Sequence, residues 1–96
     1  MELPEAFLTV KELIEDGKLK EFKSIFIYVK KKHVNAKMGA NYNRFLRFVQ
    51  NPKLIDFEDV YNIAHVFQVS PRQISELIHK QIDLQKQIDP KKNSKT

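Results

Sequence analysis

From Lys30 to Gln50 the chain reads Lys-Lys-Lys-His-Val-Asn-Ala-Lys-Met-Gly-Ala-Asn-Tyr-Asn-Arg-Phe-Leu-Arg-Phe-Val-Gln. Val34 and Met38 stand one helical turn apart and define a short buried face. Gly39 follows them and supplies the left-handed backbone that a tight turn needs. Ala40 is small enough for an elbow. Asn41 is a good N-cap, and Phe45, Phe48 and Val49 give the next helix its inner face. Asn51-Pro52 ends that helix, because proline pushes the residue before it out of helical geometry.

Outward from this centre the same punctuation recurs. Downstream, Asp56 caps a helix whose buried stripe is Phe57, Val60, Ile63, Ala64 and Phe67. Ser70-Pro71-Arg72-Gln73 combines an N-cap, a first-turn proline and a capping-box glutamine. The helix it opens carries Ile74, Leu77, Ile78 and Ile82 and extends through Ile88, with Asp89-Pro90 as its stop. Upstream, Leu19, Phe22, Ile25, Phe26 and Val29 predict a helix running into the lysine triplet. Before it, Leu3, Phe7, Val10 and Leu13 predict a first helix that ends near Asp16, with Gly17 as terminator. No alternation long enough for a strand occurs, and no repeat. The expected architecture is all-α: a compact bundle of about five helices plus an N-terminal helix. Residues 1–17 form the N-terminal helix packed on the domain, 18–89 the helical domain, and 90–96 a disordered basic tail. The expected core is Phe22, Phe26, Val34, Met38, Phe45, Phe48, Val60, Ala64, Phe67, Leu77 and Ile78.

Ninety-six residues suit one domain. The absence of cysteine excludes disulfides and thiolate metal sites and favours an intracellular, cytoplasmic setting. No apolar run approaches the length of a membrane span, and the acidic N-terminus is not expected to act as a signal peptide. The net charge is +5, and it is segregated. Residues 17–53 hold ten basic residues against Glu21 alone, whereas residues 1–16 hold five acids against Lys11. Residues 54–89 hold six acids against three bases. A single-sign block inside a folded domain is the footprint of a face that binds a polyanion, although a solvated basic surface looks the same in sequence.

Helix, glycine-containing turn, helix is the helix-turn-helix layout. With Phe45 and Phe48 inside, Asn41, Tyr42, Asn43, Arg44, Arg47 and Gln50 face outward or toward the rim. Arginine forks to guanine and asparagine or glutamine pairs with adenine, so Asn43, Arg44, Arg47, Tyr42 and Gln50 are the candidate base-contacting residues. No acid lies between Glu21 and Asp56, and two arginines without partners on such a helix are expected to meet DNA. Lys30, Lys31, Lys32, His33 and Lys37 surround the first helix of the motif and are the candidate phosphate contacts. Asn41 joins them, although capping is its simplest role.

These residues resemble the Cro- and lambda-repressor-like helix-turn-helix domains of phage and bacterial regulators. They look most like short bacterial members whose recognition helix begins Asn-Tyr-Asn-Arg-Phe, as Asn41-Tyr42-Asn43-Arg44-Phe45 does here. The resemblance runs from Leu19 to His79. It implies a lambda-repressor-like bundle, double-stranded DNA as partner, a role in transcription regulation, and the Asn41–Gln50 helix in the major groove. Two positions depart from the family pattern. Asn35 stands where alanine is usual, and Lys31 where a phosphate-binding glutamine is usual.

His33, His65 and His79 are widely spaced and lack carboxylate or cysteine company, so no metal site is expected. No glycine-rich phosphate loop and no nucleophile signature occurs, so a non-enzyme without cofactor or small-molecule ligand is expected. The rival reading is a protein-interaction adaptor of the same fold, because fold does not fix function. A homodimer is also expected, through Ile82, Leu84 and Ile88 or, failing that, through Leu3, Phe7 and Val10.

Overall fold

Phe67 is fully buried on the helix against which most of the others pack. The computed structural model describes residues 3–88. Among them the regular structure is all helical: α1 (Glu5–Glu15), α2 (Ile25–Tyr28), α3 (Lys31–Met38), α4 (Tyr42–Gln50), α5 (Phe57–Phe67) and α6 (Pro71–Ile88). Two short 3-10 turns, Phe22–Ser24 and Pro52–Leu54, precede α2 and α5. α5 packs against α1, α3 and α6. The expected disordered tail lies outside the described residues.

The helix ends follow the sequence punctuation. Gly17 adopts left-handed backbone at φ 69°, and the amides of Gly17 and Lys18 bond back to Ile14 and Leu13 at 3.1 and 2.9 Å. That pair of bonds satisfies two carbonyls that the end of α1 would otherwise leave open. Asp56 and Asp59 form a capping box at the start of α5. Ser70 and Gln73 exchange backbone and side-chain bonds at 3.0 and 3.2 Å to start α6. α5 ends without glycine: Gln68 takes the left-handed conformation instead, at φ 57°.

The predicted helix over Leu19–Val29 is shorter than its apolar spacing suggests. Leu19 is buried but outside any helix, and Glu21 is extended. Helical backbone begins only at the 3-10 turn and continues through the single turn of α2. So short a helix does not hold itself in water. It is held by burial of Phe22, Ile25 and Val29 and by one long-range bond, in which the Lys23 amide donates to the Gln81 side-chain oxygen at 2.7 Å. Gln81 is almost fully buried on α6. It occupies the stripe of Ile74, Leu77 and Ile78 one turn further on, where an apolar residue is the usual occupant.

The core is largely aromatic. Phe22, Phe26, Phe45 and Phe48 form a run of edge-on rings with centroids 5.1–5.9 Å apart, tying the α2 segment to α4. Phe7 stacks on Phe67 at 5.2 Å and fastens α1 to α5. Of the expected core, Phe26 and Met38 are only half-buried and pack against its edge; the rest are buried. Phe7 and Val10, the alternative dimer contact, are interior residues and offer no surface. Leu3 and Ile82 pack on the core and are half-buried, and Leu84 is half-buried. No described helix is long and apolar enough to cross a membrane.

Phe45 touches Phe26, Tyr42 and Phe48 and has no exposed surface. Truncation to alanine should cost about 3–5 kcal/mol, the range for a buried aromatic. Thermal melting of Phe45→Ala should fall by roughly 15–30 °C or lose cooperativity; a parent-like melt would place the inner face of α4 elsewhere.

Candidate nucleic-acid interface

α3 and α4 are joined by Gly39, Ala40 and Asn41. Gly39 sits at φ 68° and ψ 28°, and its amide closes α3 on the Asn35 carbonyl at 2.9 Å. An added Cβ there would meet no atom within 4 Å, so the turn demands glycine for its backbone angle and not for space. Asn41 is extended, and its side-chain oxygen accepts the Arg44 amide at 3.0 Å. That bond starts α4. Phe45, Phe48 and Val49 then point into the core, while Asn41, Tyr42, Asn43, Arg44, Arg47 and Gln50 are exposed. The phase of α4 read from the sequence is the one observed.

On α3, Val34 is fully buried, and Lys31, Lys32, His33 and Lys37 are exposed, as is Lys30 just before it. No side chain caps the amide end of α3, unlike α4 and α5. Lys37 lies with its ammonium 5.3 Å from the centre of the Phe7 ring, a cation–π contact to α1. Lys30, Lys31, Lys32, His33 and Arg47 make no ion pair within the described residues. The charges of the three lysines and of Arg47 therefore have no ion-pair partner among the described residues.

Arg44 differs from the expectation of an arginine without a partner. Its two terminal nitrogens grip Asp59 at 2.8 and 2.6 Å, and one also reaches Asp56 at 3.2 Å. Its guanidinium lies 5.6 Å from the Phe48 ring centre. A planar fork on a carboxylate is the strongest form of such a bond, and it fixes where the side chain points. The sequence reading recognised Asp56 as a cap but gave Asp59 no role. The available signal was the second acid one turn into the helix that follows α4.

Asp59 is 4% exposed. Burial pushes its carboxyl up; the Arg44 fork, the Asp56 amide and the Arg44 charge together outweigh burial and hold it below the usual carboxylate range. Its hydrogen bond with Asp59 raises the Arg44 guanidinium further above its already high value, and the charge of that carboxylate adds to the effect. Asn35, on α3, has a side-chain oxygen that is buried with no hydrogen-bond partner. This is the position at which the resembled family carries alanine.

The three histidines are all exposed, and no group of metal-ligating side chains occurs among the described residues. Comparison with protein-family models, curated proteins and solved structures finds no match.

Two outcomes follow from this geometry. Because folding depresses the Asp59 pKa, its stabilising contribution is present in full above the unfolded-state value near 4 and is lost as pH falls through the lower folded value. Urea melts should show Asp59→Asn less stable than the parent at neutral pH, with the gap closing below about pH 4. An acid limb that runs parallel in the two proteins would mean the pair adds nothing. Replacing Asn35 by alanine removes a buried, unpaired oxygen and improves helix propensity, so Asn35→Ala should raise stability by roughly 1 kcal/mol or more. Calorimetry reads this as a higher Tm, and a lower one would point to an unseen partner for Asn35.

Proposed function

We propose that this chain binds double-stranded DNA through α3, the Gly39–Asn41 turn and α4, as a helix-turn-helix regulator of transcription. The carrying observation is the α4 surface, where Asn43, Arg47 and Gln50 are exposed beside a cluster of lysines at the start of α3 that have no ion-pair partner among the described residues. The resemblance of Asn41–Phe45 to the opening of a Cro- and lambda-repressor-like recognition helix supports the same reading.

The division of labour follows from what each group is free to do. Arg47 and Asn43 lie one turn apart on α4 and supply base readout, arginine to guanine and asparagine to adenine. Tyr42 and Gln50 flank them. Arg44 is held by Asp59 and Asp56, so it acts as a positioning residue that sets the pose of α4. Its charge also offsets one of the two negative charges of that pair of acids. Lys30, Lys31, Lys32 and His33 contact phosphate, helped by the uncapped amides of α3. Asn41 serves α4 as its cap, and Lys37 stands at the edge, over Phe7.

Binding-site selection with the parent, Arg47→Ala and Lys31→Ala tests this division. The parent should enrich a defined duplex sequence. Arg47→Ala should lose about 1–3 kcal/mol and relax preference at one position. Lys31→Ala should weaken all sequences alike and lower the log–log salt slope by about one unit. No retention of any duplex at low salt would sink the proposal. An unchanged selected sequence for Arg47→Ala, with uniformly lower affinity, would remove Arg47 from base readout.

A further inference from the structure

Six of the seven phenylalanines join the core or its edge, and Phe57 does not. Phe57, the first residue of α5, is 85% exposed. Tyr61, one turn further along the same helix, is 63% exposed, and Leu54 in the preceding 3-10 turn is 55% exposed. Large apolar side chains this open, and this close in the fold, form a ridge that water solvates poorly. The ridge borders a groove of about 840 Å³ between the start of α5 and α6, with Val60, Ile78 and Ile82 in its lining. Lys53 and Asp56 line the wall that leads into α5, and Arg72, Glu76 and His79 line the α6 wall, so each wall carries both signs.

We infer that this face pairs with a second copy of the chain in a two-fold arrangement, the Phe57–Tyr61 ridge of each protomer lying in the groove of the other. Three observations select a second copy over other occupants. A two-fold interface uses one patch twice, so it needs a projecting and a receiving element on the same face, and both are here. The lysine, arginine and carboxylate side chains of the lining are balanced, two of each sign, with His79 beside them. A nucleic acid would call for cations alone, as on α3, and a basic peptide for acids alone. Area is the third. Phe57 and Tyr61, 85% and 63% exposed, would together bury on the order of 300 Å² when covered. With Leu54 and the groove lining, the face offers on the order of 500 Å² per partner, the size of a weak, reversible complex rather than of a permanent one.

This surface differs from the one suggested by the sequence. Phe7 and Val10 are interior, and Ile82 contributes only as groove lining. The self-association stands on the exposed ridge and holds with or without DNA. In the proposed DNA-binding role it fixes the spacing of two α4 helices, since α4 leads through Asn51 directly into the Pro52–Leu54 turn beside the ridge.

The experiment is sedimentation of the full chain without DNA, from micromolar to near-millimolar concentration. The parent should approach twice the chain mass with a micromolar dissociation constant. Phe57→Glu should weaken self-association by about tenfold or more, as loss of an aromatic anchor does. The substitution leaves the Asp56–Asp59 cap and the core intact, so dilute-sample melting should stay parent-like. Tyr61→Glu, further along the ridge, should do the same. A parent that remains monomeric throughout overturns the inference, as does a Phe57→Glu protein that dimerises like the parent or a parent that grows into open-ended oligomers. Binding to a duplex carrying one site is measured in parallel. Loss of duplex binding with dimerisation intact would sink the DNA reading and leave this one standing.

Discussion

The corner between α4 and α5 rests on a carboxylate that has been taken out of water. Asp59 accepts the fork of Arg44 and the amide of Asp56, while Asp56 accepts the amide of Asp59 in return. A buried carboxylate without such partners is costly enough to loosen its surroundings. Satisfied in this way, it links three things that would otherwise be independent: the start of α5, the direction of α4, and the place of the Arg44 guanidinium beside Phe48. The aromatic run behind α4 fixes depth and rotation, and the Arg44 fork fixes the remaining tilt. Neither is sufficient by itself, because packing is non-directional and a half-exposed ion pair contributes little unless its geometry is held.

What was legible in the sequence is what local chemistry decides. Gly17 and Gly39 mark backbone that only glycine adopts without strain, Asn41 and Asp56 cap, and Ser70-Pro71 with Gln73 opens α6; each acts within four residues of its own position. The inner face of α4 was legible for the same reason, since Phe45, Phe48 and Val49 leave one possible phase. The illegible features are all tertiary. Leu19–Phe22 has helical spacing yet is extended for part of its length, because after Gly17 the chain must turn back before Phe22 and Ile25 reach the core. Gln81 looks like a surface residue in composition, and only the fold brings the Lys23 amide to it across 58 positions. Phe57 fits the apolar stripe of α5 on a helical wheel, but it is the first residue of the helix and projects beyond the neighbours that would cover it.

The candidate interface shows the same division. The exposed set on α4 follows from its phase, and the exposed lysines follow from an eight-residue helix with one fully buried position, Val34. Sequence could not distinguish Arg44 from Arg47. They lie three apart on one helix and have the same charge, and the difference between them is set by an acid fifteen residues away. An arginine on an acid-free stretch is free only if the next element brings no carboxylate back to it, and here α5 brings two.

This arrangement bears on how the basic face works as a field. The cations of residues 17–53 are followed by α5, whose first turn is acidic. Left alone, Asp56 and Asp59 would place two negative charges beside the end of the basic surface and lower its attraction for any polyanion. Arg44 pairs with both, so one of those two negative charges is offset and the opposition to the field of Lys30–Lys32 and Arg47 is reduced at that border. Removing Arg44 or Arg47 changes the net charge by one alike, but the loss of Arg44 also leaves Asp56 and Asp59 without their cation. The apolar ridge of Phe57 and Tyr61 lies beyond this border, on the face of α5 turned away from the core. The chain thus carries two surfaces on consecutive elements, one charged and one apolar, held to each other by the packing of α3 on α5 and by the Arg44–Asp59 pair.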